Sequence, residues 1–393
     1  MSDLQTQPVN LENLKAGTNR IIKSLLICFP LIILSVLSSM EFLSSGKAIY
    51  IISSIICIVF MNIMFFLLIY TKKTDKYRVI LFISASICFI IQFAAEFYQA
   101  HGRLLFFTQG EMINGSVGFC PIAIPSTISS VLIGRKLLFP TQIQDMYFML
   151  LLIVGLVFFG GRSWCSWHCM FAGVEECSSR CGKKPIIKRK INRKWVYLSF
   201  TLLIFTAILS PIILDPFYCA WLCPMKVLSE TEMPNTINCI VRTIVSFALF
   251  LFLIVLLPFA TKKRAQCAFL CPLGALLGAA NKISPIDIRI EKEKCINCKK
   301  CINTCPTYAI DEESISKGKT HTNCFKCGKC VDICPNGAAA YHIKGTAVGM
   351  RNNIARMIFM YPTMLLYMLM GGMLITEALI RIFLLFTTGS MMK

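Results

Sequence analysis

Long apolar runs separated by short polar or basic turns occupy most of the chain. Runs near the roughly 20 residues needed to cross a bilayer fall at 24–43, 48–70, 78–98, 145–161, 195–214, 241–260 and 357–386. They predict about seven membrane helices. The apolar stretch 117–133 is too short to span; it is expected to lie at the interface or to dip into the bilayer and return. From about 285 to 345 the apolar pattern gives way to polar, cysteine-rich sequence. The chain therefore divides into an N-terminal arm (1–23), a transmembrane domain (24–284), a small separate domain (285–345) and a C-terminal transmembrane helix (346–393).

Composition agrees with a membrane protein, since 56% of the 393 residues are hydrophobic. Lys and Arg outnumber Asp and Glu by 40 to 20, a balance that the positive-inside bias of cytoplasmic loops explains without nucleic acid. The basic residues fall on alternate loops: the N-terminal arm, the turn with Lys72, Lys73, Lys76 and Arg78, the segment Lys183–Lys194, and the region after Lys262, Lys263 and Arg264. These are expected in the cytoplasm of a multi-pass cell (inner) membrane protein. The loops at 44–47, 99–144 and 215–240 are expected outside, as is the C-terminus. The first run reads as an uncleaved anchor. The last contains Gly371-Gly372, where a tilt or break is expected, and Arg381, expected to snorkel.

Twenty-one cysteines carry the chemistry. Cys295-x2-Cys298-x2-Cys301-x3-Cys305-Pro306 is followed by Cys324-x2-Cys327-x2-Cys330-x3-Cys334-Pro335, the spacing of a bacterial ferredoxin with two 4Fe-4S clusters. In that pattern the fourth cysteine of each run ligates the other cluster. One cluster then takes Cys295, Cys298, Cys301 and Cys334, and the other takes Cys324, Cys327, Cys330 and Cys305. A structural zinc site uses four ligands and leaves the third and fourth cysteines of each run unexplained. The fold class expected is mainly α: a polytopic membrane protein with a small α+β two-cluster ferredoxin-like domain.

Two further pairs, Cys165-x3-Cys169 and Cys267-x3-Cys271-Pro272, end the fourth and sixth apolar runs on the expected inner side. Together they supply four thiolates, the ligands of one more 4Fe-4S cluster. A cysteine before a proline is placed at the N-cap of the helix that the proline begins, where the dipole favours the thiolate. Arg162, Lys263 and Arg264 are expected as cationic neighbours. On the expected outer side, Cys120-Pro121 and Cys219-x3-Cys223-Pro224, with Cys239, either hold an outer cluster or serve as a dithiol or disulfides. Residues 78–169 and 195–271 share the order helix, Cys-Pro, helix, C-x3-C, a diverged internal repeat. Cys177 and Cys181 form another C-x3-C of open role, while Cys28, Cys57 and Cys88 read as small hydrophobes within helices. Trp164, Trp167 and Trp221 fit headgroup depth. With four histidines and no C-x-x-C-H, haem is not expected.

The motifs Gly161-Arg162 before Cys165-x3-Cys169, Cys267-x3-Cys271-Pro272-Leu273-Gly274, and the twin cysteine runs resemble the NapH/NosR-like membrane polyferredoxins over about residues 78–340. The resemblance implies an electron-transfer subunit rather than a stand-alone enzyme. It would pass electrons between a cytoplasmic donor or the quinone pool and a membrane or extracytoplasmic reductase. Partners implied are reductase or electron-transfer subunits and the lipid bilayer. Lys292, Lys294, Lys299, Lys300, Lys326 and Lys329 would steer an acidic donor such as a ferredoxin or flavodoxin. The chain departs from the family at Cys169-Met170, where Cys-Pro is usual, and in the extra pair Cys219/Cys223. The alternative reading is a transmembrane thiol/disulfide or metal-ion reductase working through Cys219 and Cys223.

Overall fold

The computed structural model describes residues 11–100, 160–182, 184–187, 195–213, 217–229, 237–349 and 352–391. They are mostly helical, because long apolar sequence in a bilayer must satisfy its backbone hydrogen bonds internally. Helices α1 (Leu11–Ser38) and α2 (Ala48–Thr71) are followed by α3 (Thr74–Ala100). The break between α2 and α3 is made at Lys72, which takes a left-handed φ of 60°. Next come α4 (Met170–Arg180), α5 (Val196–Ile213), α6 (Ile240–Thr261) and α7 (Pro272–Ile283). The chain closes with α11 (Asn352–Thr388).

Among the described residues, four helices are long and apolar enough to cross a membrane: Thr18–Ser38, Ala48–Thr71, Ile240–Thr261 and Asn352–Thr388. The run at 195–214 gives a shorter apolar helix over Val196–Leu209. The run at 78–98 lies within α3, whose first turns bury Asp75 and Arg78. The expected crossing at 145–161 and the stretch 117–133 with Cys120 fall outside the described residues, apart from Gly160 and Gly161.

Helix α11 packs against α2 and α3 with Phe359, Met364, Tyr367 and Met368. It runs unbroken for 37 residues, so the Gly371-Gly372 break does not occur. Polar ties join it to its neighbours: Arg356 donates to Thr74 Oγ1 at 3.1 Å and to the Leu68 carbonyl at 2.9 Å, and Gln92 donates to Glu377 at 2.6 Å. Arg381 is covered by the protein rather than extended away from it. Its Nη1 reaches the Met391 carbonyl at 3.3 Å.

The cysteine-rich domain is built on a two-stranded antiparallel sheet, β1 (Ile286–Ile290) with β2 (Ala339–Ile343), in which Ile286 pairs with Ile343 and Ile290 with Ala339. Ile286, Ile288 and Ile290 are buried, as alternation along one face of a strand requires. Three short helices complete it: α8 (Lys300–Thr304), α9 (Glu312–Lys317) and α10 (Lys329–Ile333).

This domain is fastened to the helices at several points. The Asp332 carboxylate accepts the Thr74 and Asp75 amides, at 3.0 and 2.7 Å, and so caps the start of α3. The Lys263 ammonium donates to the Asn303 and Cys305 carbonyls, both at 2.7 Å, where the end of α8 leaves carbonyls unpaired. Asn281 of α7 donates to the carbonyls of Thr322 and Cys324 at 2.7 and 2.8 Å.

Candidate iron-sulfur site

The two cysteine runs of the small domain fold alike. Asn297 and Lys299 in the first run, and Lys326 and Gly328 in the second, take positive φ of 56°, 56°, 52° and 80°. Successive turns of this hand point backbone amides into a concavity that suits anions, including iron-sulfur groups. Three of the four residues are not glycine, so the conformation has a cost that a bound group offsets. After each fourth cysteine the chain repeats its geometry. The Ala309 amide donates to Cys305 Sγ and the Ala338 amide to Cys334 Sγ, each at 3.2 Å.

The fourth cysteine of the first run lies with the second run, since the electrostatic neighbours of Cys330 include Cys324, Cys327 and Cys305. Cys301 has Cys295 and Cys298 beside it. Burial pushes the Cys324 thiol up to about 11 and the Cys327 thiol up to about 12. Crowded thiolates in so dry a place need a cation, and iron would displace their protons. Cys298 is exposed, whereas Cys305, Cys327 and Cys330 are buried. The first run therefore faces outward and the second faces the helices.

Against the second run lie the C-x3-C cysteines. Cys165 sits in a single turn, Trp164–Trp167, and Cys169 caps α4. Cys267 lies in a π turn, Gln266–Leu270, and Cys271 is the N-cap of α7 with Pro272 just inside, as the Cys-Pro spacing predicts. The Gly274 amide meets the Cys271 thiol, and Cys165 and Cys169 are among its electrostatic neighbours. The four cysteines thus come from two chain segments to one place. Gly274 has to be glycine, because a Cβ there would stand 2.8 Å from Arg162 Nη2 and 2.9 Å from the Cys267 carbonyl.

Buried charge surrounds them. Arg162 donates to the Cys267 and Ala268 carbonyls at 2.8 and 3.1 Å. Arg264 donates to the Cys165 carbonyl at 2.7 Å and to Cys267 Sγ at 3.3 Å, and pairs with Glu176 at 3.1 Å. Glu175 accepts the amides of Gln266 and Cys267 at 2.9 and 3.3 Å. Arg78 joins Asp75 and Glu176 at 2.7 and 3.0 Å and holds the Ser166 carbonyl at 2.6 Å. Among the described residues Arg162 has no carboxylate partner. A buried guanidinium without one calls for another anion nearby, and thiolates around iron would provide it. Both this charge and the four convergent cysteines fit an iron-sulfur group.

Phe325, between Cys324 and Cys327, joins the two regions. Arg162 and Arg264 lie over its ring at 5.2 and 4.8 Å from the centroid. Ser166, inside the first C-x3-C, donates to the Phe325 carbonyl at 2.8 Å.

Three expectations need correction. Cys219 and Cys223 are buried in the same apolar core as Cys165 and Cys267, and Cys223 is an electrostatic neighbour of Cys271, so they do not form a separate outer-face site. The π turn Tyr218–Leu222 repeats the turn Gln266–Leu270, and Tyr218 reaches the Gln266 side chain at 3.0 Å. Trp164 and Trp167 are buried, stacked on His168 and set edge-on to Phe359 respectively, so they fill the core instead of facing lipid headgroups. Lys263 binds the end of α8 instead of the C-x3-C group.

Cys177 and Cys181 are exposed and are not the partners of Cys165. For Cys239 the structure describes only the backbone, in the helix Ile237–Leu249. Cys28 and Cys57 are buried within helices and Cys88 is half-buried, as small hydrophobes are. Asp75, Glu175, Glu176 and Asn281 were not legible as site residues. The only available signal was the presence of acidic residues next to arginines in a chain otherwise poor in acids.

Comparison with known proteins finds iron-sulfur domains over these segments. A 4Fe-4S dicluster domain matches residues 287–335. A 4Fe-4S binding domain matches three times, at 143–194, 195–231 and 244–291; the first match holds two C-x3-C pairs, Cys165/Cys169 and Cys177/Cys181, and the others one each. YccM of Escherichia coli, a proposed electron transport protein, is 25% identical over 201 residues, covering 49% of this chain and 54% of its own length. The methylamine utilization ferredoxin-type protein MauN of Paracoccus denitrificans is 28% identical over 196 residues, covering 47% and 56%. The ferredoxin-type protein NapH of Haemophilus influenzae is 27% identical over 150 residues, covering 37% and 48%. The chain thus spans about half the length of these three relatives. No solved structure matches the chain. With twin cysteine runs, repeated C-x3-C pairs and ferredoxin-type relatives, the chain is similar to the NapH-like membrane polyferredoxins.

Proposed function

We propose that this chain is a relay in which electrons pass between the cysteine-rich domain and a membrane-side iron-sulfur group, on the way to or from a reductase. The carrying observation is the contact at Phe325, whose ring is approached by both Arg162 and Arg264, the two cations that hold the C-x3-C segments. Cys295, Cys298, Cys301 and Cys334 would hold one cluster; Cys324, Cys327, Cys330 and Cys305 a second; Cys165, Cys169, Cys267 and Cys271 a third. Such clusters supply one-electron transfer without bond-making. The exposure of Cys298 favours the first run as the end that meets a soluble donor. Lys294 and Lys299, both well exposed, would attract an acidic one. The second run, buried against Phe82 and Trp164, is the end that faces the membrane side. Cys219 and Cys223 adjoin the third set, as additional ligands or as its lining. A quinone is the natural partner on the membrane side.

Iron analysis of anaerobically purified protein tests the reading. About twelve irons per chain are expected, at four per cluster. Replacing Cys165 and Cys267 together by Ser should remove about four and leave the two ferredoxin-type signals. A count of about eight in the unaltered protein would refute the third cluster. The thiol or metal-ion reductase reading is disfavoured by the burial of Cys219 and Cys223, 1% and 3% exposed, which closes them to an external partner.

A further inference from the structure

The two cysteine runs differ at one matched position. Asn297 and Lys326 each precede the second cysteine of their run and share a left-handed backbone, with φ of 56° and 52°. Asn297 is exposed, whereas Lys326, expected among the surface lysines that steer a donor, is only 2% exposed. Its ammonium donates to Ser284 Oγ at 2.7 Å and to the Gly160 carbonyl at 3.0 Å. Its own carbonyl accepts from the Tyr341 hydroxyl at 2.9 Å. The residue is thus held at both ends between Cys324 and Cys327, and among the described residues no carboxylate pairs with it.

Burial alone would make the second run the poorer electron acceptor. Reduction makes a cluster more negative, and water stabilises that charge at the exposed Cys298 but not beside the buried Cys327 and Cys330. On that count an electron entering at Cys298 would stay there. Lys326 acts in the opposite sense, because a cation in a dry place is little screened. The anionic cluster in turn favours the charged form of the lysine. Lys263 adds to the effect at the Cys305 carbonyl, 2.7 Å away. In the first run Lys294 and Lys299 are well exposed and paired with Glu291 and Glu312, so water and these acids blunt their charge.

We propose that Lys326 sets the direction of the relay: its buried charge places the second-run cluster at a higher reduction potential than the first-run cluster, so that electrons move inward from Cys298 towards the C-x3-C cysteines. The inference rests on the relay reading above. A soluble one-electron carrier loses one electron to the first-run cluster. That cluster is reoxidised as it passes the electron to the second-run cluster, and no bond or proton changes place.

The test uses the full-length protein in detergent under anaerobic conditions, titrated with dithionite and followed by electron paramagnetic resonance. Cys298→Ser, which removes a first-run ligand, assigns the two ferredoxin-type signals. In unaltered protein the second-run signal should appear first. Lys326→Gln, whose amide can still donate to Ser284, should lower the ratio of reduced second-run to reduced first-run clusters at least tenfold, equal to about 59 mV for one electron. Lys326→Met should do the same. Ser284→Ala removes a partner of the ammonium but leaves its charge, and should keep the order of the two signals. A first-run signal that appears first in unaltered protein would overturn the proposal. So would an unchanged ratio in Lys326→Gln at full iron content, or an equal change in Ser284→Ala, which would make the role of Lys326 one of packing alone. Iron below about eight per chain in unaltered protein, at four per cluster, or a missing second signal, would refute the relay itself and this assignment with it.

Discussion

Replacing Arg162 by Gln should lower the reduction potential of the iron-sulfur group proposed at the C-x3-C cysteines. The guanidinium is buried, binds the Cys267 and Ala268 carbonyls at 2.8 and 3.1 Å, and has the Cys165, Cys271 and Cys267 thiols as electrostatic neighbours. Arg78, Arg180 and Arg264 share Asp75, Glu175 and Glu176, and among the described residues Arg162 has no carboxylate partner. Adding an electron makes the group more negative, and a nearby cation favours that state; its removal favours the oxidised one. At a separation of roughly 6 Å and an effective dielectric of about 20, a unit charge contributes about 3 kcal/mol. For one electron, at 59 mV per tenfold change, this is on the order of 100 mV downward. A redox titration monitored by electron paramagnetic resonance would read the shift, with the signal of the first-run cluster as internal reference. Arg162→Lys, which keeps the charge, should move it by less than half as much. A shift upward, or one below about 20 mV at unchanged iron content, would refute the electrostatic reasoning.

Other outcomes follow from single contacts. Asp332→Ala removes the cap on the first two amides of α3 and should cost about 1–2 kcal/mol, read as a lower midpoint for loss of the iron-sulfur absorbance on heating. Gly274→Ala forces a Cβ into contact with Arg162 and the Cys267 carbonyl and should cost about 1–3 kcal/mol; a stability equal to that of the unaltered protein would contradict the packing. Cys305→Ser and Cys334→Ser should each remove about four irons but abolish different signals. The Cys305 variant should lose the second-run cluster, which lies beside Cys324 and Cys330. Loss of the first-run signal instead would show that each run keeps its own fourth cysteine.

The residue spacings alone marked the twin runs, the N-cap place of Cys271 and the apolar helices. These depend on local rules: three close cysteines can wrap one group, a proline starts a helix, and an apolar stretch about 20 residues long spans a bilayer. Sidedness was less legible. Cys219-x3-Cys223 follows a helix that should end outside, yet its cysteines are packed with Cys165 and Cys267. Hydropathy counts the length of α5 but says nothing of where the chain goes afterwards. The matching sequences Cys219-Ala-Trp-Leu-Cys223-Pro224 and Cys267-Ala-Phe-Leu-Cys271-Pro272 were the signal that these two turns are alike.

What only the tertiary structure decided is how the charges are shared and which cysteines meet. Asp75, Glu175 and Glu176 carry no motif, and their role arises because α3 and α4 bring them against Arg78, Arg180 and Arg264. Arg78 and Arg180 each have one acid within a helical turn, but the pairs Arg78–Glu176, Arg180–Asp75 and Arg264–Glu176 join residues about a hundred positions apart, where no local pattern reaches. The joining of the two cysteine regions at Phe325 is of the same kind. Spacing determines which cysteines can wrap a cluster; the packing of one run against the C-x3-C turns determines that the clusters can lie on one path.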